Sequence, residues 1–179
     1  AVTGNTRRFG ASLEKIKQVV DVRKGEIMFG LNMIVHKGRT IFIGDTSVHE
    51  YPTSEEMANI AISAARVVRL FGFNPKVAFV SHSTFGQPLT SRTKHIRSAV
   101  EILKDKKVDF EFDGDMQPDV ALNADYEELY PFAKIVGKAN ILIMPGQHSA
   151  AISYKLMKTF GDAKVIGPLL IGLNLPIEI

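Results

Sequence analysis

Cysteine is absent from this 179-residue chain. That excludes disulfides, thiolate metal sites and a cysteine nucleophile, and it fits a reducing, cytoplasmic setting. No apolar run approaches the roughly 18–20 residues of a membrane span, so no membrane partner is expected. Arg7 and Arg8 are not followed by an apolar core, so the reading expects no secretory leader. The five histidines, His36, His49, His82, His95 and His148, lack the i, i+4 ligand spacing of a helical zinc site, and no metal site is expected. A Gly-x-Ser-x-Gly elbow is missing, which sets aside a triad of Ser83, His82 and Asp113. A dinucleotide glycine fingerprint is missing too, which argues against hydride transfer by these residues. No basic stripe interleaved with aromatics is seen, so no nucleic-acid partner is expected.

What is present is ordinary for a globular protein: 45% apolar and 23% charged residues in 19.7 kDa, enough for one substantial domain. The net charge of +3 is mild, and its densest cluster, Lys104-Asp105-Lys106-Lys107, reads as a solvated helix end. A small positive excess would equally suit a phosphate-rich ligand.

Leu13, Ile16, Val19 and Val20 recur at helical spacing. Two β-rich runs, 27–35 and 40–45, flank the turn His36-Lys37-Gly38-Arg39 and read as a hairpin, either an antiparallel edge or a joining element. Pro52-Thr53-Ser54-Glu55-Glu56 opens a helix with apolar positions Met57, Ile60, Ala61, Ala64, Val67 and Val68, closed by Gly72. Further helices are expected over about 91–104, with Ile96, Val100 and Leu103 on one face, and over 149–160, with Ile152, Leu156 and Met157 facing inward. Segments 118–123 and 126–130 read as short helical pieces.

Four apolar runs break abruptly into small and polar residues. They are Val77-Ala78-Phe79-Val80 before Ser81-His82-Ser83-Thr84-Phe85-Gly86, and Phe110-Glu111-Phe112 before Asp113-Gly114-Asp115-Met116-Gln117. The others are Ile141-Leu142-Ile143-Met144 before Pro145-Gly146-Gln147-His148-Ser149, and Val165-Ile166 before Gly167-Pro168-Leu169. Strands alternating with helices imply a three-layer α/β fold, a mainly parallel sheet with helices on both faces plus the hairpin. All four breaks are then expected at the carboxyl edge of the strands, where ligands bind in such sheets. The apolar stretch before Leu175-Pro176-Ile177-Glu178-Ile179 lacks a following cover helix, so a longer protein or a partner is expected to supply one.

The 81–87 loop offers hydroxyls and backbone N–H groups suited to phosphate or carbonyl oxygens, or it is a plain strand-to-helix loop with hydroxyl caps. Asp113 and Asp115 could bind a cation, act as a base or accept from a ligand; otherwise Asp113 stabilises a turn and Asp115 caps the next helix. His148 could contact a ligand or simply lie at the surface. The glycines of 167–172 mark a close backbone approach to a ligand or another subunit.

Taken together, Pro52-Thr53-Ser54-Glu55-Glu56-Met57-Ala58, Pro75-Lys76-Val77-Ala78, Ser81-His82-Ser83-Thr84-Phe85-Gly86, Asp113-Gly114-Asp115-Met116-Gln117, Asn140 to Pro145, Tyr154-Lys155 and Ile166-Gly167-Pro168-Leu169 resemble the phosphate acetyltransferase/butyryltransferase family. The resemblance spans about residues 40–176. Thr40-Ile41-Phe42-Ile43-Gly44-Asp45-Thr46 and the 81–86 segment look most like the C-terminal phosphotransacetylase-like domain of large bacterial NADP-dependent malic enzymes. This implies a phosphotransacetylase/isocitrate dehydrogenase-like fold. Residues 1–50 would form a connecting helix and hairpin shared with a missing subdomain, and 51–179 the α/β domain. The chain would be a fragment of a malic enzyme whose missing N-terminal module binds NADP and a divalent metal and oxidatively decarboxylates malate to pyruvate.

The resemblance further implies acetyl-CoA or CoA as ligand, a homo-oligomer of at least two subunits, and a regulatory and assembly role. Cofactor contacts are expected from Ser81, Ser83, Thr84, Gly86, Asp113, Asp115, Gln147, His148 and Lys155. No catalytic residue is expected. The active transferases continue after their equivalent of Pro176 into an Asp-Leu-Ser-Arg-Gly stretch, where this sequence reads Pro176-Ile177-Glu178-Ile179. Their third loop carries Pro-Asp and Gly-Asn where this one has Pro145-Gly146 and Ala150-Ala151, and an arginine near the start of the aligned region falls at Glu14 or Lys15. Two alternatives remain: part of a working phosphate acyltransferase, or a purely structural oligomerisation module.

Overall fold

A computed structural model describes residue 2 and residues 8–179. Arg7, cited above, lies outside the described residues. The elements run α1 (Phe9–Val19), β1 (Phe29–His36), β2 (Arg39–Gly44), α2 (Ser54–Leu70), β3 (Lys76–Val80), α3 (Ser91–Asp105), β4 (Glu111–Met116), α4 (Pro118–Leu122), a 3₁₀ turn (Ala124–Tyr126), β5 (Ile141–Ile143), α5 (Gln147–Phe160) and β6 (Lys164–Ile171).

Six strands form one sheet in the order β4-β3-β5-β2-β1-β6. β4, β3, β5 and β2 are mutually parallel, whereas β1 runs antiparallel to both β2 and β6. The hairpin therefore joins the parallel set to β6 rather than closing an edge.

Period-two alternation splits the strands between two apolar layers. Phe42, Val77, Phe79, Ile141 and Ile143 face α2 and α3. Ile41, Ile43, Ala78, Val80 and Leu142 face α4 and α5. α2 is small-sided where it meets its neighbours: Ala58, Ala61, Ala64 and Ala65 are buried, which lets it lie close to the sheet and to α3. Its start is set by a capping box in which Glu56 N donates to Thr53 Oγ1 (3.1 Å) and Thr53 N donates to Glu56 Oε2 (2.7 Å). Thr90 and Thr93 cap α3 in the same reciprocal way. α1 packs Leu13 and Ile16 with Met28, Leu170 and Leu173 beside β1 and β6.

The structure corrects four readings. Asp113 to Met116 are not a loop but the last four residues of β4, paired with Ala78 to Val80 through a register irregularity. Gly114 permits this, because a Cβ there would stand 2.8 Å from the Phe79 carbonyl oxygen. Gly167-Pro168 likewise lies inside β6, at the shift in its ladder with β1, so the fourth break does not open on the carboxyl edge. In α5, Ile152 and Leu156 are 59% and 61% exposed. Met157 does face the core as expected, but its partners are Ala150 and Tyr154, a competing stripe at i, i+4, i+7. Finally, the turn at Ala124–Tyr126 replaces the helical piece expected over 126–130.

Candidate functional site

Because β2, β5, β3 and β4 are parallel, the segments after each of them open on one edge of the sheet. The chain leaves β2 and β3 into helices on one face and leaves β5 into α5 on the other. β5 is therefore flanked on both sides by the topological switch points at which α/β sheets leave a crevice.

Both flanks are hollow. Between β3 and β5 lies a depression of about 290 Å³, lined by Ser81, His82, Pro118, Met144, Ser149 and Ser153. Between β2 and β5 lies another of about 370 Å³, lined by Tyr51, Pro52, Thr53, Met57, Ser91 and His95. Arg92, Ile96 and Pro145 line both, so the two are lobes of one crevice with the Arg92 cation at their junction. The Arg92 guanidinium stands 5.6 Å from the centre of the Tyr51 ring. α2 begins just after Thr53 and α3 begins at Ser91, and both residues line the lobe between β2 and β5, which sets the positive ends of two helices beside it. His95 is anchored through its ring and its carbonyl: Nε2 donates to the Pro52 carbonyl (2.9 Å), Nδ1 stands 3.0 Å from Ser54 Oγ, and that hydroxyl donates to the His95 carbonyl (2.8 Å).

The wall between β2 and α2 is built on Asp45. This buried carboxylate accepts from Gly30 N (2.9 Å), Ser47 N (2.8 Å), Val48 N (3.1 Å) and His49 N (2.8 Å), and it pairs with His49 Nδ1 at 2.7 Å. The hydrogen bond to Asp45 raises the His49 pKa above its ordinary 6.5; burial opposes this, and the charges of Asp45 and Glu56 add to it. The His49 carbonyl in turn accepts from Gln147 N (3.0 Å), tying this wall to the start of α5. Gly146 is required at the joint: a Cβ there, at φ +158°, would lie 2.3 Å from the Glu50 carbonyl oxygen.

The residues expected to contact a cofactor fall into several places. Ser81 lines the lobe between β3 and β5. Ser83 and Asp115 are wholly buried and bonded to each other, the Ser83 hydroxyl donating to the carboxylate, which also accepts from Gly86 N (3.3 Å). Asp115 thus clamps the β3–α3 loop onto β4 instead of capping α4, and its other oxygen, Oδ1, has no protein partner. Thr84 Oγ1 accepts from Gln117 N (3.2 Å). Asp113 points elsewhere, accepting from Gly114 N and Lys134 N, both at 2.9 Å. Gln147 and His148 begin α5, with His148 Nε2 3.2 Å from Glu50 Oε1. Lys155 is exposed beside the Tyr154 ring, away from both lobes.

Sequence reasoning missed the β2–α2 segment, Asp45 to Thr53, together with Arg92, His95 and Ser153. The signal was available in part: Ile41-Phe42-Ile43 breaks into Gly44-Asp45-Thr46-Ser47 just as the other strands do. Treating the hairpin as separate from the parallel set hid it.

Among the described residues, no group of three or more His, Asp or Glu side chains is arranged to hold a metal ion, and no helix is long and apolar enough to cross a membrane.

The model of the family described as phosphate acetyl/butaryl transferase matches residues 1–179. The chain belongs to this family. It is 46% identical over 178 residues to an NADP-dependent malic enzyme of Rhizobium meliloti, covering 99% of this chain and 23% of that protein. It is 37% identical over 140 residues to a phosphate acetyltransferase of Clostridium acetobutylicum, covering 77% of this chain and 42% of that one. The fold matches a phosphotransacetylase from Streptococcus pyogenes with TM-score 0.92 at 27% identity, over 98% of this chain and 55% of the other. The chain thus spans about a quarter of the length of the malic enzymes it matches. As a phosphotransacetylase-like domain, it carries the double crevice on the same β-strand edge that its topology demands.

Proposed function

We propose that the crevice beside β5 holds an acyl-CoA, acetyl-CoA foremost, and that the chain is the regulatory and oligomerising phosphotransacetylase-like domain of an NADP-dependent malic enzyme. The observation that carries this reading is the pair of lobes joined at Arg92. An anionic group has the guanidinium and two helix N-termini to meet it. Met57, Ile96 and Met144 offer apolar walls for an uncharged arm, and the hydroxyls of Ser81 and Ser153 supply polar contacts along it.

Similarity to malic enzymes along nearly the whole chain supports the parentage. In this reading, NADP, the divalent metal and malate oxidation belong to the rest of a cytoplasmic protein. The exposed stripe of Ile152, Leu156 and Phe160 on α5 supports assembly with another copy. For regulation, acetyl-CoA must bind one arrangement of that assembly more tightly than another.

Calorimetry with acetyl-CoA on the intact protein, alongside malate oxidation, tests the proposal. Saturable heat, lost in Arg92→Gln, with a changed oxidation rate is expected. No heat and no effect on oxidation would overturn it, and a melting point unmoved by saturating CoA would leave a structural module.

A second reading, acyl transfer between CoA and phosphate, is favoured by the likeness to phosphate acetyltransferases. It requires a cationic clamp on phosphate and a base for the CoA thiol. Acetyl phosphate formed from acetyl-CoA and inorganic phosphate would establish it.

A further inference from the structure

A hollow of about 470 Å³ lies on the outer side of α3 and β4 and shares no lining residue with either lobe of the crevice. Its walls combine two features that the fold does not use. The first is unpaired positive charge. Arg97 makes no hydrogen bond or ion pair among the described residues, and its Nη1 packs over Gly86, where a Cβ would stand only 2.5 Å away. Gly86, at φ +82°, therefore makes the room into which the Nη1 end of the guanidinium fits against the β3–α3 loop. Among the described residues the Lys134 ammonium also lacks a carboxylate partner, and it stands 5.9 Å from the centre of the Phe112 ring. The acids of the hollow are already engaged. Glu101 pairs with Lys104 at 2.7 Å, and each Asp113 oxygen accepts from a backbone N–H.

The second feature is an aromatic wall at the lip. Phe132 is 69% exposed yet held edge-on by Phe85 (4.9 Å between centres) and by Tyr130 (6.2 Å). A ring fixed by two others but open on one face is a stacking platform for another planar ring. A free guanidinium fork is the side chain best matched to a phosphate. The size of the hollow falls in the range of small-molecule sites.

We propose that this hollow is a second ligand site, separate from the crevice, that takes a mononucleotide-sized phosphate ester: its planar base stacks on Phe132 and its phosphate pairs with Arg97 and Lys134. The site is independent of what the crevice binds.

The test is equilibrium dialysis of the intact protein with AMP as probe. Saturable binding is expected, weakened on the order of tenfold or more in Arg97→Gln and several-fold in Phe132→Ala, as loss of a charged hydrogen-bond fork and of a stacking face require. Adenosine and inorganic phosphate alone should each bind on the order of tenfold more weakly than AMP, since each keeps half of the contacts. Arg92→Gln should leave AMP affinity unchanged, and acetyl-CoA should not displace AMP. Arg97 and Phe132 are exposed, and unchanged melting points check that the variants fold. Absence of saturable AMP binding, or full affinity in Arg97→Gln, would overturn the proposal. Displacement of AMP by acetyl-CoA would also overturn it, by making the hollow the far end of one cofactor site. Acetyl-CoA binding at the crevice is read separately, through Arg92→Gln, so failure of one proposal leaves the other standing.

Discussion

Asp45→Asn isolates the contribution of one buried charge to the crevice wall. The substitution preserves shape but turns one carboxylate oxygen into an NH₂ group. If the remaining oxygen keeps Gly30 N and Ser47 N, the new amide nitrogen faces His49 N, a donor that it cannot satisfy, and His49 Nδ1, which must give up its proton to accept from the amide. A hydrogen bond to a charged acceptor contributes about 1.5–3 kcal/mol, and a buried donor left unsatisfied costs about 1–3 kcal/mol. Allowing for relaxation of the part-exposed His49 ring, the net loss should be on the order of 3 kcal/mol, a large share of the ~5–15 kcal/mol that holds a typical domain. For a chain of this size that lowers the melting temperature by about 6–12 °C. Urea unfolding of the 179-residue chain measures it, with a lowered midpoint and an unchanged slope as the expected pattern. The double variant Asp45→Asn/His49→Gln should lose less than the sum of its parts, because the two side chains share one bond. A loss below about 1 kcal/mol would refute the claim that this carboxylate anchors the wall.

The His49–Asp45 pair also predicts a pH dependence of defined sign. The folded pKa of His49 is raised above 6.5, so the stabilisation from its protonated ring is complete below about 6.5 and is lost as pH rises through the raised value. The melting-point gap between the native chain and His49→Gln should therefore be widest in mildly acidic buffer and shrink toward alkaline pH; a gap that widens instead contradicts the pairing. On α5, Ile152→Ser/Leu156→Ser should leave unfolding by urea within about 0.5 kcal/mol of the native chain, since both side chains are mostly exposed. Sedimentation of the intact protein should show smaller assemblies for this double variant, and an unaltered distribution would remove that stripe from the interface.

Much of the scaffold was legible because its signals are local. Thr53 with Glu56 announced the start of α2, and Val77 to Val80 and Ile141 to Ile143 stood out as continuous apolar runs buried on both faces. The errors arose where backbone pairing overrode local chemistry. Asp113-Gly114-Asp115 and Gly167-Pro168 carry turn residues, yet strand partners draw both segments into the sheet, with glycine absorbing the close approach. α5 misled for a related reason. Two apolar stripes share one helix, and periodicity cannot say which of them meets the sheet.

The candidate site divides in the same way. Ser81 was found because it ends a strand that reads as one; Arg92 and His95 were not, because they look like any polar residues in the first turns of a helix. Residue order alone determined the fold class and the presence of polar strand ends, which follow from periodicity and short-range composition, and the family likeness, which rests on the matching segments. Only the tertiary structure decided which of those ends share a crevice. The strand order β4-β3-β5-β2 inserts β5 between two earlier strands, and that long-range choice, made by burial of both sheet faces, brings Thr53, Arg92 and Ser149 together.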